Sequence, residues 1–175
     1  MINYEEFKRT DFYQFFNLSE ALRRNLEFGD IQVNLNPGAH KAHITIILIL
    51  DPSSQIKKAK LVLNRAWIGD QRSINPLSTD ISKSFIATLF PYPENETLKL
   101  LLHYLFNLRG EKDWFTSCQR KCLSPLEESV GDEIKHFLEI FRGLEDNCTI
   151  KIHNHKLNIN HLGSKKDSLL IECIF

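Results

Sequence analysis

The segment CTIKIHNHKLNINHLG, residues 148–163, carries His153, His155 and His161, three of the chain's seven histidines. Imidazoles packed this closely suit transition-metal ligation or proton transfer. The apolar residues around them point elsewhere. Ile150 and Ile152 share one parity, and Leu157 and Ile159 share the other, so one straight strand would place the pairs on opposite faces. A hairpin with Asn154 and His155 as its two-residue loop removes the conflict. It pairs His153 with Lys156, Ile152 with Leu157 and Ile150 with Ile159, and all four aliphatics fall on one face. Asn154 suits the positive backbone angle of such a turn. His153 and His155 are then expected at an exposed tip, away from the second layer of groups that normally orients a metal-binding imidazole. The metal-bearing alternative joins His40 and His43, from HKAH, to His153 or His155. It lacks a tight ligand pair of known spacing. His103 and His136 fall on the polar sides of helical patterns.

Asp51 ends the apolar run ITIILIL, a place where catalytic carboxylates occur in α/β enzymes. A metal-dependent hydrolase or nuclease would use it with histidines. The Glu-x-Lys that a nuclease would carry on the next strand is missing from KAKLVLN, and DPSS is an effective turn without any catalytic role. Cys118 and Cys122 share a helical face near Arg120 and Lys121 but form no CxxC. Cys148 and Cys173 lie in strand-like runs as small core residues. GxSxG, P-loop, GxGxxG and HExxH motifs do not occur, and no cofactor is implied.

Binding features stand out more than catalytic ones. Arg65, Trp67 and Arg72 in NRAWIGDQR are residue types that dominate interface hot spots, although Trp67 serves equally well as core. Lys57, Lys58, Lys60 and Arg65 make the stretch 57–65 basic. It would either shield a sheet edge from aggregation or contact phosphate. DFYQFF places Phe12, Tyr13, Phe15 and Phe16 within five positions, more than one helix buries on one side. Phe12 and Phe16 are the expected partner contacts there.

These groups need elements to hold them. The chain has 175 residues, 42% hydrophobic and 25% charged, enough for one domain with its own core. Its 22 basic and 22 acidic residues cancel. That balance ranks nucleic acid below protein as a partner and favours association, including self-association, over colloidal repulsion. The polar start MINYEEFKRT and the four cysteines suit a reducing cytoplasm. ITIILIL is too short to span a bilayer.

Asn3 with Glu6, and Asn17 with Glu20, are capping patterns, and Leu18, Leu22 and Leu26 form a stripe, so residues 1–29 are expected to be helical. IQVNLN, HITIILIL, KAKLVLNRAWIG and SFIATLF are expected strands within 30–90, with 69–83 a polar loop and HITIILIL a central strand. Helices are expected over 94–143, most clearly where Ser124, Pro125 and Glu127 open a pattern that Gly143 ends. Strands return over 148–175, with the last one docked in the sheet. The fold class is α+β in one domain, a mostly antiparallel sheet of six to seven strands with helices packed on at least one face. The expected function is a non-enzymatic binding module engaging another protein. The metal-dependent hydrolase is the first alternative, and nucleic-acid binding through 57–65 the second.

Overall fold

A computed structural model of the chain describes residues 2–70, 73–90, 147–152, 155–165 and 167–175. Two short helices come first, α1 (Tyr4–Lys8) and α2 (Asp11–Phe15). The expected capping box opens α1: the Asn3 side chain accepts from Glu5 N at 2.9 Å, and Asn3 N donates to Glu6 at 3.1 Å. Four strands follow, β1 (Ser19–Asn25), β2 (Ile31–Asn36), β3 (Ile44–Leu50) and β4 (Ile56–Asn64). Then come α3 (Arg65–Ile68), a small ladder of β5 (Gly69–Asp70) with β6 (Ser73–Ile74), and α4 (Pro76–Leu89). The chain returns in β7 (Asn147–Ile152), β8 (His155–Leu162) and β9 (Ser168–Ile174).

Seven of these strands form one sheet in the order β1-β2-β3-β4-β9-β8-β7, antiparallel throughout. Two meanders, β1 to β4 and β7 to β9, meet where β4 pairs with β9. The register aligns fully buried residues in rows across the sheet. Val33, Leu48, Ala59, Cys173 and Leu157 form one row; Leu35, Ile46, Leu61, Ile171 and Ile159 form the next. Tyr4, Phe7 and Phe12 from α1 and α2, and Ile81, Phe85, Ile86 and Leu89 from α4, belong to the same buried cluster. Burying one such side chain stabilises by roughly 1.5–3 kcal/mol, so these rows dominate the stability of the fold.

Several expectations are corrected. Residues 19–25 are a strand, not the continuation of a helix. Asn17 adopts a left-handed φ of 48° that breaks the chain out of α2, and Leu22 on the supposed stripe is 46% exposed. Glu20 does not cap a helix; it accepts the Tyr4 hydroxyl at 2.8 Å and pairs with Arg23 at 3.0 Å, fastening α1 to β1. Burial pushes the Tyr4 phenol far up, and the Glu20 carboxylate adds to this. SFIATLF is the end of α4, not a strand, and the supposed polar loop holds the β5–β6 ladder and the first half of that helix. Asn75 caps it by accepting from Leu77 N at 3.1 Å, and Pro76 takes the first position. KAKLVLN is a strand, but at Asn64, which accepts from Trp67 N at 3.1 Å, the chain turns into α3. The basic strand β4 is the centre of the sheet and not its edge. β3 lies inside the sheet as expected, but its outer residues Ile47 and Ile49 are only half-buried.

The hairpin between β7 and β8 exists with its register moved by two. Ile152 pairs with His155, and Ile150 with Leu157. His155 therefore sits in the ladder. β9 is held on both sides by β4 and β8. The helices expected over 94–143 lie outside the described residues, as do Cys118, Cys122, His103 and His136. Among the described residues no helix is long and apolar enough to cross a membrane.

The face opposite the core carries a polar cluster at its centre, beside Ile47, Val62 and the buried Leu170. Glu172, 9% exposed, accepts from Asn158 at 2.8 Å and lies 3.3 Å from Lys60 and 3.6 Å from Lys58. Burial alone would push its carboxyl up; the Asn158 amide and the two ammonium groups outweigh that and hold it below the usual glutamate range.

Two predictions follow from this packing. Phe85→Ala should destabilise by about 3–5 kcal/mol in urea unfolding, because α4 is docked on the core; a loss under about 0.5 kcal/mol would remove α4 from it. Glu172 is lowered in the folded chain, so it adds stability above its unfolded value of about 4.3, lost as pH falls through the folded one. Glu172→Gln should therefore lose less stability than the parent between pH 6 and pH 3, and parallel curves would contradict the assignment.

Candidate functional site

An open apolar groove lies between α2 and α4. Thr10 starts α2 by accepting from Tyr13 N at 3.3 Å, and one turn then fans its aromatic side chains in different directions. Phe12 enters the core and packs on Phe7 at 6.0 Å and Phe85 at 5.8 Å. Phe16 lies partly buried against Phe12 at 5.2 Å. Phe15 is left 78% exposed, with an edge contact to Phe16 at 5.1 Å. α4 turns its large residues inward and presents Ser84, Ala87 and Thr88 toward α2. These small side chains leave a groove of about 550 Å³, with Phe12 and Phe16 in its wall, Phe15 beside it, and Asp11, Asp80 and Lys83 around it. The arrangement suits an inserted apolar side chain, with acidic groups near the mouth for a flanking cation.

The residues singled out in the sequence fall in several places. Phe12, 3% exposed, belongs to the core cluster and also stands in the groove wall. Phe16 lines the groove. Trp67 is partly buried on the core and lies between two imidazoles, stacked on His43 at 5.9 Å and 6° and tilted to His40 at 5.5 Å. Arg65 begins α3, and its backbone N donates to Asp167 O at 2.8 Å. Arg72 and His153 lie outside the described residues.

His155 does not stand at an exposed tip. The register shift places it on the core side of β8, against Phe90 at 5.9 Å and Phe175 at 5.3 Å. His43 precedes the first residue of β3, level with the end of β4, whereas His155 lies near the Lys58–Ile174 pair toward the opposite end. The structure thus joins His40 and His43 around Trp67 but does not bring either to His155. Among the described residues no three His, Cys, Asp or Glu side chains gather as metal ligands would.

Asp51 is committed to its turn. One carboxylate oxygen accepts from Ser53 N at 2.8 Å, Ser53 Oγ at 2.7 Å and Gln55 N at 2.9 Å. The Ser53 hydroxyl, then the Gln55 amide, hold the carboxyl below its ordinary range. These bonds account for an aspartate after an apolar strand without catalysis. Cys173 is a buried free thiol, pushed well up by burial and unsuited to nucleophilic work.

No family model, curated protein or solved structure matches the chain. The groove, missed in the sequence, had a signal there: Asn75-Pro76 followed by Ile81, Phe85, Ile86 and Leu89 at helical spacing. The aromatic cluster was visible, but which of its rings stays outside depends on where α2 ends.

The two faces of α2 should respond oppositely in chemical denaturation. Phe12→Ala is expected to cost about 3–5 kcal/mol and Phe15→Ser less than about 0.5 kcal/mol. Equal losses would place Phe15 in the core.

Proposed function

We propose that the protein is a non-enzymatic binding module whose α2–α4 groove receives an amphipathic segment of a protein partner. The observation that carries this reading is Phe15, a large aromatic side chain left exposed beside a groove walled by other aromatics. Solitary exposed apolar residues are common on protein surfaces, but one adjoining a concave apolar site is the arrangement of a helix-in-groove interface. The neighbouring Asp11 and Asp80 favour a segment with Lys or Arg flanking its apolar anchor. Asp51 bound into its turn and histidines divided between two ends of the sheet give the hydrolase alternative no comparable support.

A photoreactive amino acid placed at Ser84 would identify the occupant, and calorimetry with the purified partner would test it. Phe15→Asp should weaken that complex by about thirtyfold, a hot-spot loss near 2 kcal/mol, while leaving the thermal unfolding curve in place. Asp80→Lys should weaken it further. A partner crosslinked at Ser84 but bound equally by both variants would contradict the reading. A crosslinked second copy of the chain, dissociated by Phe15→Asp in size-exclusion light scattering, would identify the occupant as the protein itself.

A further inference from the structure

The charge balance of the whole chain hides a local imbalance. On the sheet face opposite the core, register places Arg24, Gln32, Ile49, Lys58, Ile174 and Lys156 in one row across six strands. Lys60 stands two residues along from Lys58 in the next row. Within the paired rows of this face Glu172 is the one described carboxylate against Arg24, Lys58, Lys60 and Lys156, an excess of three positive charges, and the adjoining Asp30–Lys57 ion pair is neutral. Glu172 already lies between Lys58 and Lys60. Arg24 spends its guanidinium on the neutral Gln32 carbonyl, at 3.2 and 2.8 Å, and so retains its full charge. Lys156 is exposed.

We propose that this face binds the phosphate backbone of single-stranded nucleic acid along the row from Arg24 through Lys58 to Lys156. At about 4.8 Å between strands the row spans roughly 24 Å, the length of several nucleotides. The carboxamides of Gln32 and Asn34 lie beside the cations, joined by a 2.7 Å hydrogen bond, and continue the polar strip along β2. The described side chains of this face include no aromatic ring. Binding is therefore electrostatic and indifferent to sequence, without the stacking of a specific single-strand reader. A bilayer fits less well. A twisted sheet meets a plane only at its corners, and Lys58 and Lys60, with side chains 37% and 32% exposed, stand on its central strand. The site is separate from the α2–α4 groove and does not depend on it.

Fluorescence anisotropy of a labelled twelve-nucleotide oligouridylate, titrated from 20 to 200 mM salt, tests the proposal. Three net contacts give a log–log salt slope of about −2, from roughly 0.7 per phosphate on a single strand. Replacing Lys58→Gln together with Lys156→Gln should weaken binding at least about tenfold at the lowest salt and bring the slope near −0.7. Arg24→Gln, on an exposed edge strand where folding is not at stake, should also weaken it. Glu172→Gln should act in the opposite direction, tightening binding and steepening the slope to about −2.8. Lys8→Gln on α1 should leave both unchanged. The proposal is overturned by any of four results: no binding at 20 mM salt, affinity indifferent to these face variants, tighter binding to duplex than to the single strand, or tighter binding to phosphatidylserine vesicles than to the oligomer.

Discussion

The antiparallel seam between β4 and β9 holds the two halves of this chain together. Seven residue pairs, from Lys58 with Ile174 to Asn64 with Ser168, join segments more than a hundred positions apart in sequence. Each meander alone would expose a long hydrophobic edge strand, a recognised route to aggregation. Pairing removes both edges at once. It also completes the buried rows, since Ala59 and Leu61 meet Cys173 and Ile171 across the seam. On the opposite face, the same pairing brings Lys58 and Lys60 to Glu172. Packing and electrostatics therefore share one origin: a polar cluster on one side of the sheet and an aliphatic one on the other both require this register.

Of the two edges that remain, β1 and β7, the one at β1 is managed differently. All seven residues of β1 are exposed, and a register shift between Glu20 and Leu22 interrupts its ladder. Such a bulge, with Arg23 and Arg24 close behind it, discourages addition of another strand. Tyr4 and Glu20 anchor this edge from below, so the N-terminal helices both cover the core and hold the edge. The same helices shape the groove. α2 lasts a single turn because Asn17 takes the left-handed conformation, and a longer helix would carry the aromatic residues round to different positions.

What could be read from the sequence follows the range of the forces involved. Alternation over two residues gave IQVNLN and the hairpin arms, and a local cap gave Asn3 with Glu6. The hairpin register was two positions out because parity determines which face a residue takes, not which partner it meets; slipping by two keeps every side chain on its face. SEALRRN contains good helix formers, but pairing with β2 overrides weak intrinsic preference. Lys58 and Lys60 look like edge protection in isolation, and only their distant partner Glu172 shows them to be central. The basic face is likewise assembled from β1, β4 and β8, so a neutral total conceals it. No local pattern distinguishes Phe15 from Phe12 and Phe16, because the distinction arises when α4 packs beside them.

Amide hydrogen exchange along β4 and β9 tests the seam most directly. In a strand paired on both sides every amide is bonded, and those of Leu61 and Ile171 should exchange only through global unfolding, among the slowest in the protein. If alternate amides of β4 exchanged orders of magnitude faster, as on a strand with one side free, the central pairing and everything built on it would be wrong.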